Sequence, residues 1–157
     1  MNIRPAVMRC YLLKVLLVED NKLTRMATER MLAKSGYLVV SAKDGEEALQ
    51  MARQERPDVV LLDMMLPKLS GPEVLHGLKA SPETAPIPVV VLTGLSQKNE
   101  TRLVEDGASA FVEKSAALDS PELLLSAIRQ AFRAAVLAAE LRGLPATPAS
   151  SSASIPA

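Results

Sequence analysis

The chain has 157 residues with 18 basic and 18 acidic side chains, so its formal charge is zero and it offers no positive footprint for DNA or an anionic membrane. Apolar residues make up 48% of it, enough for the core of one ordinary domain, but with two Phe, two Tyr and no Trp that core must be aliphatic. One cysteine, Cys10, excludes an intrachain disulfide and a cysteine-based metal site, one histidine, His76, argues against a multi-histidine site, and no apolar run approaches the roughly 18 residues that span a bilayer.

The N-terminus carries Arg4, Pro5 and Arg9 without a signal-peptide cleavage pattern, so a cytoplasmic protein is the expectation. The first strand is expected over Lys14–Val18, an apolar run that stops at two adjacent acids, Glu19 and Asp20. A helix follows, with Leu23, Met26, Ala27, Arg30 and Met31 at the spacing of one face. Arg25, Arg30 and Lys34 on it read as a solvated face that could meet an acidic partner. A second strand is expected over Tyr37–Ser41. Asp44 then caps a helix whose apolar face is Ala48, Leu49 and Ala52.

The third strand, Val59–Leu62, ends at Asp63 in "DVVLLD". Ser70 and Glu73 have capping-box spacing, with Pro72 in the first turn. His76 lies in this helix and reads as a surface or core-edge residue, and Met64 and Met65 read as loop and core residues. The fourth strand, Val89–Leu92, ends in Thr93 and Gly94, and Gly107 closes a helix containing Leu103 and Val104. The fifth, Ala110–Glu113, ends at Lys114. Ser120 and Pro121 open a final helix that runs to about Arg142, some ~33 Å, with a stripe of Leu125, Ile128, Phe132, Ala135, Val136, Ala139 and Arg142. Its second half extends past any core, so it either frays or meets a dimer partner or a following domain. Gly143 and Pro145 stop it.

Strand and helix alternate five times, and runs without polar alternation suit strands buried on both faces. The fold class expected is α/β, a parallel sheet with helices on both sides. Ligands of such sheets bind beyond the carboxyl ends of the strands, where Glu19, Asp20, Asp63, Thr93 and Lys114 all fall. Taken singly, each acid is a solvated strand end. Together they form a set suited to a hard divalent cation such as Mg²⁺ and to phosphoryl transfer onto a carboxylate, with Asp63 as nucleophile, Thr93 as hydrogen-bond donor and Lys114 as fixed cation.

The motifs "VLLVEDN", "VVLLDMMLPKLSG", "VVVLTG" and "GASAFVEKS", in this order and at these intervals, resemble the receiver domain of two-component response regulators from about Leu12 to Phe132. The resemblance implies a flavodoxin-like doubly wound five-stranded sheet of order 2-1-3-4-5. It implies Asp63 as phosphoacceptor, Asp20 as direct metal ligand, Glu19 as an acid reaching the metal through water, and Met65 as donor of a backbone carbonyl. It implies Thr93 and Phe111 as the switch pair, Lys114 as the phosphate-binding lysine, and Mg²⁺ as cofactor. The partner implied is a histidine kinase or phosphotransfer protein, with repacking of the face made by the fourth helix, fifth strand and fifth helix, and the chain is a phosphoacceptor rather than an enzyme in the ordinary sense. The expected domain layout is an N-terminal extension (1–11), the receiver with its extended last helix (12–142) and a tail or linker (143–157). The final helices could form a homodimer. The receiver either stands alone or is cut from a longer regulator.

One departure is Ser115, where the family usually has proline, often behind a cis bond. A cis bond costs about 2.5–4 kcal/mol before serine against about 0.5–1 before proline, so either the local fold meets that cost or the bond is trans. Two other classes fit less well. A phosphatase of the haloacid dehalogenase type wants an acid where Met65 stands, and a flavin module wants a glycine- and hydroxyl-rich loop where the chain has "EDNKLT".

Overall fold

The computed structural model describes residues 12–94 and 104–143. Five parallel strands, β1 (Lys14–Val18), β2 (Leu38–Ala42), β3 (Val59–Asp63), β4 (Val89–Thr93) and β5 (Ala110–Glu113), lie in the order β2-β1-β3-β4-β5. Around them run α1 (Lys22–Lys34), α2 (Gly45–Glu55), α3 (Gly71–Ala80), the short α4 (Lys114–Asp119) and the long α5 (Pro121–Leu141).

Alternate residues of each strand face opposite sides, which divides the core in two. Leu16, Val18, Val60, Leu62, Val89 and Val91 pack with α2 and α3 through Ala48, Ala52, Val74, Leu75 and Leu78. Val15, Leu17, Val59, Leu61, Val90 and Leu92 pack with α1, α4 and α5 through Leu32, Ala117, Leu124, Ile128 and Ala131. The sheet is thus covered on both faces, the arrangement expected of the unbroken apolar runs. The register sets Val18 beside Leu62, Asp63 beside Leu92 and Thr93 beside Glu113, so the carboxyl ends of β1, β3, β4 and β5 share one edge. The order reverses between β1 and β3, which opens the crevice there.

Several local expectations are met. Asp44 caps α2 by accepting from the Glu47 N–H at 2.8 Å, and Ser70 and Glu73 form a reciprocal capping box at α3 with Pro72 in its first turn. Val104 and Glu105 are helical, and Gly107, at φ +108°, donates its N–H to the Val104 carbonyl. Most of the expected fourth helix, with Leu103, lies outside the described residues, as do Cys10, the N-terminal extension and the tail from residue 144.

Four expectations are corrected. β2 begins at Leu38, because the Tyr37 N–H bonds back to the Leu32 carbonyl and closes α1. The buried face of α1 is Thr28 and Leu32 flanked by Met31, while Leu23 is 78% exposed and Met26, Ala27 and Arg30 also face outward. α4 was not foreseen. The core stripe of α5 is Leu124, Ile128 and Ala131, with Leu125 and Phe132 only partly buried beside it. Beyond the sheet, Leu137 and Leu141 of α5 are 56% and 80% exposed. Among the described residues no helix is long and apolar enough to cross a membrane.

Candidate functional site

At the shared strand edge, one carboxylate oxygen each from Glu19, Asp20 and Asp63 lie within 4.8 Å of one another. β1 and β3 deliver them: Glu19 extends the ladder through its N–H to the Ala42 carbonyl at 3.0 Å, and Asp63 is the last residue of β3. Glu19 and Asp63 are buried, at 1% and 2% exposure, while Asp20 is exposed at the mouth.

Lys114, one residue past β5, reaches across the end of β4. Its ammonium lies 2.9 Å from Glu19 Oε1 and 3.0 Å from Asp63 Oδ2. The other oxygens are held by backbone: Glu19 Oε2 accepts the Asn21 N–H at 3.1 Å and Asp63 Oδ1 accepts the Met65 N–H at 3.1 Å. Burial pushes the Glu19 carboxyl above its usual range; the bonds from Lys114 and Asn21 pull it back, and the neighbouring Asp63 charge raises it again. Burial by itself lowers the Lys114 ammonium, but its bonds and charge attraction to Glu19 and Asp63 outweigh this and leave it above the usual lysine value.

Three carboxylates thus gather beside one ammonium that contacts two of them, an excess of negative charge built entirely from oxygen donors. That donor set fits a hard divalent cation such as Mg²⁺, which takes one or two carboxylates and keeps its waters. Thr93 and Phe111 stand beside it on adjacent strands. Val91 pairs with Phe111 and Thr93 with Glu113, so Phe111 sits two residues down from Thr93. Phe111 is partly buried against the α2/α3 core, and Thr93 is partly exposed at the edge.

The geometry is that of a known family. The response regulator receiver domain family matches residues 15–129. The chain belongs to it. The receiver is 39% identical over 101 residues to the polar-differentiation response regulator DivK of Brucella anthropi, covering 64% of this chain and 82% of that protein. Among solved structures it resembles the receiver domain of a sensor histidine kinase from Pseudomonas aeruginosa, determined with a magnesium ion coordinated in the active-site cleft. The identity there is 26% and the TM-score 0.70, over 78% of this chain and 98% of that one. It also resembles the Vibrio cholerae chemotaxis protein CheY4, at 28% identity and TM-score 0.71 over 77% and 99% of the two chains.

Of the sequence-predicted site residues, Glu19, Asp20, Asp63, Met65, Thr93 and Lys114 lie at the one edge, and Phe111 lies two residues below it on β5, against the α2/α3 core. The Met65 side chain is largely exposed, and no acid stands there for a dehalogenase-type mechanism. His76 is exposed on α3, away from the edge, and Met64 packs against the α2/α3 core. Among the described residues there is no cis peptide bond, so Lys114–Ser115 is trans, and Ser115 lies in the first turn of α4 with its hydroxyl bonded to Glu113.

Three neighbours of the site escaped the sequence reading. Arg25, expected on a solvated face, turns its guanidinium onto the carbonyls of Glu19 and Asp20. The signal was its place one turn into a helix that starts immediately after those acids. Gly71 lies so close to the β3–α3 loop that a Cβ on it would sit 2.5 Å from Met64 Cα. Lys68 of the same loop, in the left-handed region at φ +67°, pairs with the buried Asp44 at 3.4 Å.

Proposed function

We propose that this receiver accepts a phosphoryl group on Asp63 from a phosphohistidine of a histidine kinase or phosphotransfer protein and passes the change to its surface. A carboxylate oxygen of Asp63 attacks phosphorus, the phosphorus–nitrogen bond breaks, and the imidazole leaves with its electron pair and takes up a proton. Asp20, Asp63 and the Met65 carbonyl would hold Mg²⁺, with Glu19 reaching it through water; when bound, the ion offsets charge on the phosphoryl oxygens. The Lys114 ammonium binds the phosphoryl group from the β5 side, and the Thr93 hydroxyl donates to it. The same residues serve both formation and hydrolysis of the acyl phosphate.

The single observation that carries this reading is the state of Asp63: a buried carboxylate with Lys114 on one oxygen and a backbone N–H on the other, set beside two further acids. In the switch we infer, Thr93 moves toward the phosphate and Phe111 moves inward on the same face of the sheet. The surface formed by the helix between β4 and β5, by β5 and by α5 then repacks, a two-state change of the kind packed interfaces support. The working unit is residues 12–142, in a cytoplasmic setting that follows from the phosphodonor. Self-association through the end of α5 belongs to the same reading, since Leu137 and Leu141 leave apolar surface there.

The test is treatment with acetyl phosphate and Mg²⁺ followed by intact mass measurement. The wild-type chain gains the mass of one phosphoryl group and Asp63→Asn does not. A wild-type chain that stays unmodified with Mg²⁺ supplied, or an Asp63→Asn variant that gains the same mass, overturns the proposal.

A further inference from the structure

Arg25 sits in the first turn of α1, its N–H donated to the Asn21 carbonyl at 2.9 Å. Its guanidinium Nη1 donates to the Glu19 carbonyl at 2.9 Å and, more weakly, to the Asp20 carbonyl at 3.4 Å. Among the described residues it forms no ion pair, although three carboxylates lie on the same edge. The cation is therefore committed to the backbone of two consecutive acids rather than to any side-chain charge. A planar guanidinium suits that task, because its two N–H groups on one nitrogen diverge toward neighbouring acceptors.

We propose that Arg25 is a positioning residue for the divalent cation: by tying down the carbonyls of Glu19 and Asp20 it fixes the turn from which both carboxylates reach the site. The inference rests on the metal-binding part of the proposed function. The turn has other restraints at Glu19: its N–H bonds to the Ala42 carbonyl, Lys114 pairs with its Oε1 and the Asn21 N–H donates to its Oε2, while Asn21 in turn caps α1 at the Thr24 N–H. Those contacts hold Glu19. Within the described residues, the Asp20 backbone has Arg25 as its side-chain partner, and Asp20 is the exposed acid of the three.

The sign of the effect separates positioning from plain electrostatics. A positive charge next to a cation site opposes metal binding, so if Arg25 acted only through its charge its removal would tighten Mg²⁺ binding. If it acts by holding the turn, its removal loosens binding, as loss of the groups that orient metal ligands does elsewhere.

The experiment is calorimetric titration of the full chain with Mg²⁺ alone, comparing wild type, Arg25→Ala and Arg25→Lys, with circular dichroism to establish that each is folded. The expected result is Mg²⁺ affinity about tenfold weaker in Arg25→Ala. Arg25→Lys, whose ammonium can still donate to a carbonyl, should fall between Arg25→Ala and wild type. Should the alanine variant fail to fold, Arg25→Gln, too short to reach the Glu19 carbonyl, gives the same reading. Unchanged or tighter binding in the folded variants overturns the inference. A wild-type chain that does not bind Mg²⁺ at all sinks the metal reading on which it rests, and the two failures are told apart by the wild-type titration.

Discussion

The Lys114 ammonium lies 3.0 Å from Asp63 Oδ2 and joins that carboxylate to Glu19, 2.9 Å away on its other side. Two buried anions from different strands thus share one cation supplied by a third. Removing it leaves both facing each other with only the Asn21 and Met65 N–H groups for compensation. Lys114→Ala should therefore destabilise the fold by about 1–3 kcal/mol in the presence of EDTA, the usual cost of leaving buried polar groups short of partners. Mg²⁺ should recover part of that loss, and should raise the melting temperature of the variant more than that of wild type. Thermal melts with EDTA and with Mg²⁺ check both statements, and equal stability of the two chains in EDTA would count against the first.

Gly71 carries a constraint that is steric rather than electrostatic. A Cβ there would lie 2.5 Å from Met64 Cα and 2.9 Å from the Asp63 carbonyl oxygen, both backbone atoms that cannot rotate away. The Gly71 N–H also closes the loop onto the Met64 carbonyl at 3.1 Å. Gly71→Ala should cost about 1–3 kcal/mol through forced backbone movement. Because the movement falls on the residue after Asp63, the rate of labelling by acetyl phosphate should drop as well. Urea denaturation measures the first effect and intact mass the second; a fully stable variant would mean the loop yields more easily than its contacts suggest.

Asp44 provides a pH-dependent contribution from outside the cluster of Glu19, Asp20 and Asp63. It accepts the Glu47 N–H at 2.8 Å and pairs with Lys68, and the backbone bond to Glu47 is the main reason its carboxyl is held below its usual range, with the Lys68 charge adding to it. A folded-state pKa below the unfolded one stabilises the fold above the ordinary aspartate value of 3.8, and that stability disappears as pH falls through the lowered value. Asp44→Ala should cost about 1 kcal/mol at neutral pH through loss of the helix cap. The gap between the two chains should narrow as pH falls below 3.8, which denaturation curves at several pH values would register.

The strand ends were legible because the apolar runs of β1, β3 and β4 are unbroken and halt at Glu19, Asp63 and Thr93, and that of β5 halts at Glu113 with Lys114 next to it. Period and punctuation sufficed for the parallel sheet, and the parallel sheet brought those ends together. The faces of the helices were less legible. In α1 the apolar Leu23 and Met26 point outward while the polar Thr28 is buried, so a count of apolar residues selects the wrong face. α5 is apolar around much of its circumference, and the stripe read from it missed Leu124 and Ala131. α4 is six residues long and has no side-chain cap, so nothing marked its start, and it is α4 that takes up Ser115 where the family's proline would stand. Arg25 was less legible for another reason: a side-chain bond to a backbone carbonyl selects no partner residue type, so its place one turn past the two acids was the one mark it left.

The end of α5 gives a prediction in which stability and assembly separate. Leu137 and Leu141 are exposed, so replacing both with lysine should change stability by no more than about 0.5 kcal/mol each. If α5 carries self-association, wild type treated with beryllofluoride and Mg²⁺ should elute earlier on sizing than untreated protein, and the double variant should not shift. A double variant that shifts like wild type places any assembly elsewhere.

Gly94 follows Thr93, exposed, and a Cβ added to it would meet none of the described residues within 4 Å. Alanine therefore fits without strain, which makes Gly94→Ala a clean probe of access. With no side chain at this position, water approaches the acyl phosphate proposed at Asp63 from the open side, and a methyl group there should hinder it. The expected outcome is an unchanged melting temperature and a longer phosphoryl lifetime after removal of excess acetyl phosphate, followed by intact mass over time. Slower labelling by acetyl phosphate should accompany it, since donor and water use the same opening. An unchanged lifetime would mean that hydrolysis is limited by the groups around Asp63 and not by entry past Gly94.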